Sequence, residues 1–116
     1  MKANAAGMLP AFEAEEQGLL AIAQTGTIGS AEVLGIGTDP DGFSFLLLEP
    51  IHSGHRIREY WETLGGELWA MHAAPVPEDF PHSFGFPADN FIGAGKQINA
   101  PHSSWVDFYR ECRLMP

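Results

Sequence analysis

The run 43–49, FSFLLLE, constrains the fold of this 116-residue chain more than any other segment. It is apolar at nearly every position, which favours a strand covered on both faces inside a sheet over an edge strand. The turn 39–42 (Asp-Pro-Asp-Gly) precedes it, and a second β-rich run, 31–37, lies before the turn. Two such runs around a Pro/Asp/Gly turn predict a hairpin, and we expect a further strand to lie beside it.

Three other segments have the periodicity of amphipathic helices. Segment 9–25 has an acidic first half, segment 55–73 keeps the period despite Gly65 and Gly66, and segment 104–114 begins with Ser104 and Asp107 in capping-box spacing. A proline-rich stretch, 75–87, separates the second helix from the third. This order of strands and helices predicts the α+β class, with a small antiparallel sheet covered by helices.

The charge of the chain excludes several kinds of partner. Six basic and fifteen acidic residues give a formal charge of -9. Such a charge repels nucleic acid and anionic membrane surfaces, and no run approaches the roughly 18 apolar residues of a membrane span. The single cysteine, Cys112, cannot form an internal disulfide and is more typical of a reducing compartment, so we expect a cytoplasmic protein.

Most residues of chemical interest have a structural explanation that sequence alone favours. Cys112 falls on the apolar stripe of the last helix, so a buried thiol is expected, and Asp89 and Asn90 are expected to form a turn with local hydrogen bonds. The three tryptophans at helical spacing predict core anchors. The histidines do not have the spacing of a known metal motif, and no metal site is predicted; they are His52, His55, His72, His82 and His102.

Four segments, in order, resemble one enzyme family. They are Lys2 followed by Glu15 in FEAEEQGL, the run FLLLEPI (45–51), the run LGGELWAMH (64–72), and FGFPADNFIGAGKQINAPHSSWVDFYRECRL (84–114). The last is similar over about thirty positions to a pattern of the fructosamine (ketosamine) kinases, which use a protein-kinase-like fold. The resemblance covers essentially the whole chain but less than half of a family member.

This resemblance implies a division of the chain and a set of nucleotide contacts. Residues 1–52 would be part of the nucleotide-binding lobe and 53–116 the start of the helical lobe, packed as one domain. Lys2 would neutralise phosphate oxygens of ATP, bound with Mg, while Glu15 holds its ammonium. The backbone at Glu49 and Ile51 would hydrogen-bond adenine, with Leu47 near the gatekeeper position. Glu15 has an alternative explanation as a surface charge that complements the helix dipole, and Lys2 as a solvated lysine in a frayed terminus.

The resemblance also implies what these residues do not supply. The family places a catalytic loop of the form H-G-D-L-x-x-x-N and a magnesium-binding aspartate beyond this region, and neither motif occurs here. We therefore predict no catalytic residue in the chain and no turnover on its own, although the family phosphorylates ketosamines on glycated amines and proteins. The alternative is a non-catalytic scaffold that associates as a homodimer or larger oligomer through an exposed sheet edge.

Overall fold

The computed structural model describes residues 1–77, 80 and 84–116, and these divide into two compact units, 1–74 and 75–116. Antiparallel strands and helices occur together in the first unit, and a short hairpin and a helix in the second. The predicted α+β class is confirmed. The predicted boundary after residue 52 stays a prediction, as does the packing of the two parts as one domain. No helix among the described residues is long and apolar enough to span a bilayer.

The first unit contains a three-stranded sheet. Its strands are β1 (Lys2–Ala5), β2 (Val33–Thr38) and β3 (Phe43–Leu48), and β3 lies in the middle with an antiparallel neighbour on each side. At the turn between β2 and β3, Asp39 Oδ1 accepts hydrogen bonds from the backbone N–H groups of Asp41 and Phe43, and Gly42 has a φ of 86°. The predicted hairpin and the strand beside it are both confirmed.

Burial on β3 is one-sided, which corrects the expectation that both faces are covered. Leu46 and Ser44 are fully buried, whereas Phe43 and Leu47 are 53% and 40% exposed. The helix α1 (Leu9–Gln24) packs against β2 and β3 and buries Phe12. The apolar composition of β3 predicted that other elements cover both of its faces, but within the described residues only one face is covered.

The helix α2 (Tyr60–His72) begins five residues later than the predicted start at His55. Before it, Arg56 stacks on the rings of Tyr60 and Trp61, at 5.4 and 5.1 Å from their centroids. Residues 51–57 have no regular secondary structure, so Arg56 makes this contact from a non-helical segment that precedes α2. None of the thirteen residues of α2, all of which the structure describes, is buried.

The predicted role of the tryptophans as core anchors is wrong. Trp61 and Trp69 on α2 are 66% and 72% exposed, and Trp105 in the second unit is 53% exposed. Helical spacing identified a common side of α2 correctly, but it carries no information on whether another element covers that side.

The second unit joins a hairpin to a short helix. The strands β4 (Asn90–Ile92) and β5 (Gly95–Gln97) pair around Gly93, which has a φ of 60°, and sequence analysis missed this hairpin. The helix α3 (Trp105–Tyr109) continues as one π-helical turn to Leu114. Ser104 Oγ accepts a hydrogen bond from the backbone N–H of Asp107 at 3.4 Å, which confirms the predicted cap.

Candidate nucleotide-binding site

Lys2 and Glu15 meet on the surface of the first unit. Lys2 Nζ donates to Glu15 Oε1 at 2.5 Å, and the two side chains are 52% and 33% exposed. Lys2 is also in register with Leu46 of β3, so it is a strand residue. Lys2 therefore belongs to a paired strand and not to a frayed terminus, although its side chain remains half exposed to solvent, and it makes the contact with Glu15 that the resemblance implies.

The local sequence explains why Glu15 faces the sheet. Pro10 stands in the first turn of α1, where its missing N–H costs no hydrogen bond, and a short 3₁₀ turn, Ala6–Met8, connects the helix directly to β1. Phe12 is buried and lies three residues before Glu15, so both occupy nearly the same side of the helix. Burial of Phe12 thus brings the Glu15 carboxylate towards the ammonium at the start of β1.

The segment after β3 has the backbone groups that could pair with a purine edge. The N–H of Glu49 donates to Glu32 O at 2.9 Å, which fixes the end of the strand, and Pro50 has no N–H to donate. Ile51 is 72% exposed. The carbonyl of Glu49 and the N–H of Ile51 would match an amino donor and a ring-nitrogen acceptor, and adenine presents both.

Leu47 lies apart from the lysine and glutamate. It is opposite Gly35 on β2, whereas Leu46 is opposite Lys2 on β1. Because successive strand residues point to opposite faces, Leu47 is on the face away from the ion pair, and Leu48 shares the face of Lys2. The structure thus brings Lys2 and Glu15 together but not Leu47, whose contact with adenine stays a prediction.

The polar residues of the second unit form a network that sequence analysis missed. Asn99 is 3% exposed, and its Nδ2 donates to Ala88 O at 3.1 Å. Arg113 donates to Asn99 Oδ1 at 2.7 Å and to Ile98 O at 2.6 Å, and its guanidinium lies 4.6 Å from the centre of the Phe108 ring. These contacts connect the end of the hairpin to the last helix.

Asp89 belongs to the same network. Its Oδ1 accepts from the N–H of Asn99, ten residues away, at 2.9 Å. The expectation that Asp89 bonds locally is therefore wrong, since this contact depends on β4 and β5 folding back. Asn90 Oδ1 is buried and has no hydrogen-bond partner among the described residues.

Cys112 is buried, at 3% exposure, as predicted. Its Sγ lies 3.7 Å from His102 Nε2 and 3.9 Å from Ala100 O. Sequence analysis missed this histidine as a neighbour of the thiol. His102 Nε2 is also 3.9 Å from Glu111 Oε2. Glu111 accepts a hydrogen bond from the neighbouring Arg110, and this contact, with the charge of Asp107, raises the pKa of Arg110 above its ordinary value.

The described residues do not by themselves form a metal site. Among residues 1–77, 80 and 84–116, no three His, Cys, Asp or Glu side chains are grouped closely enough to hold a metal ion. His82 lies outside the described residues, as does part of the proline-rich stretch 75–87.

Comparison with known proteins identifies relatives of the whole chain. The sequence profile of the fructosamine kinase family matches residues 1–116. A probable ketoamine kinase from Synechocystis is 37% identical over 114 residues, which are 98% of this chain and 37% of that protein. A chloroplastic protein-ribulosamine 3-kinase from Arabidopsis thaliana is 39% identical over 103 residues, 89% of this chain and 30% of that protein.

A solved structure has the same fold over the same region. The crystal structure of a protein assigned as a fructosamine-3-kinase, from Haemophilus somnus, superposes with a TM-score of 0.83 at 28% identity. The match covers 97% of this chain and 36% of that one. The chain therefore spans about a third of the length of the relatives that it matches.

Proposed function

Because this chain belongs to the fructosamine kinase family, we propose that it forms part of the ATP-binding lobe of a kinase acting on ketosamines, the sugar adducts of glycated amines and proteins. The contact between Lys2 Nζ and Glu15 Oε1 carries this proposal. Its two residues come from different elements and are thirteen positions apart, so the contact depends on the fold.

Lys2 would bind phosphate oxygens of ATP. An ammonium that is 52% exposed can accept a second anionic partner while Glu15 holds it on one side. Two unit charges about 4 Å apart attract by roughly 1 kcal/mol in water and by about 4 kcal/mol at a protein surface. Glu15 would act by positioning the lysine, because a flexible side chain loses entropy when a ligand has to order it.

Adenine would lie against the segment after β3. The carbonyl of Glu49 would accept from its amino group, and the N–H of Ile51 would donate to its ring. The bond from the Glu49 N–H to Glu32 O supports this geometry, since it holds the strand end against β2 and so fixes the direction of the carbonyl. Leu47 would contact the base from the exposed face of β3.

Phosphoryl transfer would need catalytic and magnesium-binding residues in addition to those of this sequence. The family's catalytic and magnesium motifs are absent from the sequence, and the described residues do not form a magnesium site. Positioning and charge stabilisation supply nearly all of the catalysis in this chemistry, so the chain alone should have no turnover. Phosphorylation of a glycated peptide by the pure chain would contradict this part of the proposal.

A second candidate function is that of an oligomeric scaffold derived from a kinase. All four residues of β1 are exposed, and within the part of the chain that the structure describes β1 pairs with β3 on one side and with no strand on the other. An edge strand of this kind can pair with β1 of a second copy and extend the sheet across a two-fold axis. Light scattering over a wide concentration range tests this: a constant monomer mass would exclude the oligomer.

We also propose that the protein works in the cytoplasm, because its single cysteine, Cys112, is a free thiol, which is more typical of a reducing compartment. Fluorescence microscopy of a tagged chain in its own cell would test this, and secretion would contradict it.

Heteronuclear NMR of the chain during titration with Mg-ATP tests the nucleotide site. Saturable shifts at Lys2, Glu15, Glu49 and Ile51 are expected, with none at Asn99 in the second unit. A well-dispersed spectrum that ATP leaves unchanged would overturn the nucleotide-binding proposal and favour the scaffold.

A further inference from the structure

A short junction joins the strand of Lys2 to the helix of Glu15. It consists of the end of β1 and the 3₁₀ turn Ala6–Met8, after which α1 begins. Neither Ala5 before the 3₁₀ turn nor Met8 before α1 makes a side-chain cap hydrogen bond in the described chain. Because no cap fixes the start of the helix, its direction relative to β1 depends more strongly on contacts that other strands make with the junction.

Ser44 on β3 makes the first of these contacts. It is fully buried in a strand whose other residues are all apolar. Its hydroxyl donates a hydrogen bond to Ala5 O at 2.9 Å, and Asn4 O lies 3.4 Å from the same Oγ. A buried hydroxyl without a partner is costly, so a serine at this position is explained by its bond to the end of β1.

The turn between β2 and β3 makes the second contact. The N–H of Ala6 donates to Gly42 O at 2.9 Å, so the residue after β1 is bonded to this turn. Asp39 holds the turn closed, because its Oδ1 accepts from the N–H groups of Asp41 and Phe43 at 3.0 and 2.9 Å. The N–H of Gly42 also donates to Asp39 O at 3.3 Å. The Asp39 carboxylate therefore fixes the carbonyl to which Ala6 is bonded.

We propose that Asp39 and Ser44 are positioning residues for Lys2. They hold two consecutive residues of the junction, and thereby fix α1 so that Glu15 meets the Lys2 ammonium. Neither has to touch the nucleotide, because each acts through backbone groups of the junction. Asp39 and Ser44 determine the ion pair whatever the ligand is, whereas their effect on ATP rests on the proposed function.

The lysine ammonium groups provide a direct measurement, since the chain has two lysines. Lys2 Nζ donates to Glu15 at 2.5 Å, whereas the exposed side chain of Lys96 has no hydrogen bond or ion pair within the part of the chain that the structure describes. In ¹⁵N NMR of the 116-residue chain we therefore expect slower hydrogen exchange at Lys2 than at Lys96, with Lys96→Arg assigning the signals. Asp39→Ala and Ser44→Ala should each accelerate exchange at Lys2 by at least about threefold, as loss of one hydrogen bond does.

Two variants of the turn separate the hydrogen bonds of Asp39 from its charge. Asp39→Asn keeps a side-chain oxygen that can accept from both N–H groups, so exchange at Lys2 should stay within about twofold of wild type. Asp41→Ala removes the same charge from the same turn, but the Asp41 side chain makes no hydrogen bond among the described residues, and exchange should again stay within about twofold. Asp39 is exposed, so these variants do not require the core to repack.

Calorimetry with ATP and adenosine measures what the position of Lys2 does for binding. Asp39→Ala and Ser44→Ala should weaken ATP by about threefold and leave adenosine unchanged, whereas a general loss of folding would weaken both. The positioning role is overturned if neither alanine variant changes exchange at Lys2, or if Asp39→Asn changes it as much as Asp39→Ala does. If exchange responds as expected but the wild-type chain does not bind ATP, Lys2 is positioned as inferred and the nucleotide-binding proposal fails.

Discussion

The lysine–glutamate pair of the first unit and the asparagine–arginine network of the second use polar residues in opposite ways. Asn99 is 3% exposed and uses its side-chain N–H and carbonyl as well as its backbone N–H within the unit. Lys2 and Glu15 are 52% and 33% exposed, and one contact joins their side chains.

The two arrangements contribute different amounts to the free energy of unfolding. A buried polar group that loses its partner costs about 1–3 kcal/mol, so a network like that of Asn99 specifies the fold. An exposed ion pair contributes only about 0.2–1 kcal/mol to stability. The Lys2–Glu15 pair therefore adds little to folding, and its charges remain available to a ligand.

We expect the largest loss of stability from Asn99→Ala, which removes the side-chain hydrogen bonds of Asn99. It leaves Ala88 O without its donor and Arg113 without one acceptor. The free energy of unfolding should fall by about 3 kcal/mol, measured by urea denaturation. The control is Asn4→Ala on β1, where the side chain is exposed and the change should stay within about 0.5 kcal/mol. Equal effects at the two positions would remove the contrast between the units.

A smaller loss is expected from Gly85→Ala, in the FGFP segment. Gly85 has a φ of 126°, and an added Cβ would stand 2.9 Å from Asn99 O and 3.0 Å from Pro101 Cα. Both obstacles are backbone atoms, so the variant should lose about 2 kcal/mol of stability. Gly93→Ala is the comparison: its φ is 60° and its surroundings are open, so it should lose only about 1 kcal/mol. A neutral Gly85→Ala would mean that the loop packs differently.

Local signals in the sequence predicted some of this structure well. The bounds of α1 and the cap at Ser104 depend on residues within one turn, and both predictions hold. The β4–β5 hairpin and the contact of Asp89 with Asn99 depend on chain segments that meet only after folding. Propensity in a short window does not contain that information, so these features were missed.

The candidate site and α2 also include features that could be predicted and features that could not. The Lys2–Glu15 contact was predicted from family resemblance, because helical periodicity alone does not indicate which strand residue lies beside Glu15. The exposure of Trp61 and Trp69 could not be predicted, because an apolar residue at helical spacing does not indicate what covers it.

The smallest change in stability is expected from Glu15→Gln. The carboxamide can still accept a hydrogen bond from Lys2 but has no charge, so stability should fall by less than about 0.5 kcal/mol. Affinity for ATP should fall, because a neutral carboxamide holds the ammonium of Lys2 in place less firmly than a carboxylate does. Thermal unfolding and calorimetry, respectively, measure the two effects. A large loss of stability would show that the pair is structural, like the Asn99 network.

The most direct test of the nucleotide site is the dissociation constant of ATP for the wild-type chain and for Lys2→Met, measured by calorimetry beside that of adenosine. We predict that Lys2→Met weakens ATP at least about tenfold, as loss of a charge-assisted contact does. Adenosine, which has no phosphates, should bind both proteins equally through the segment after β3. Unchanged ATP affinity, or an equal loss for ATP and adenosine, would contradict a phosphate-binding role for Lys2.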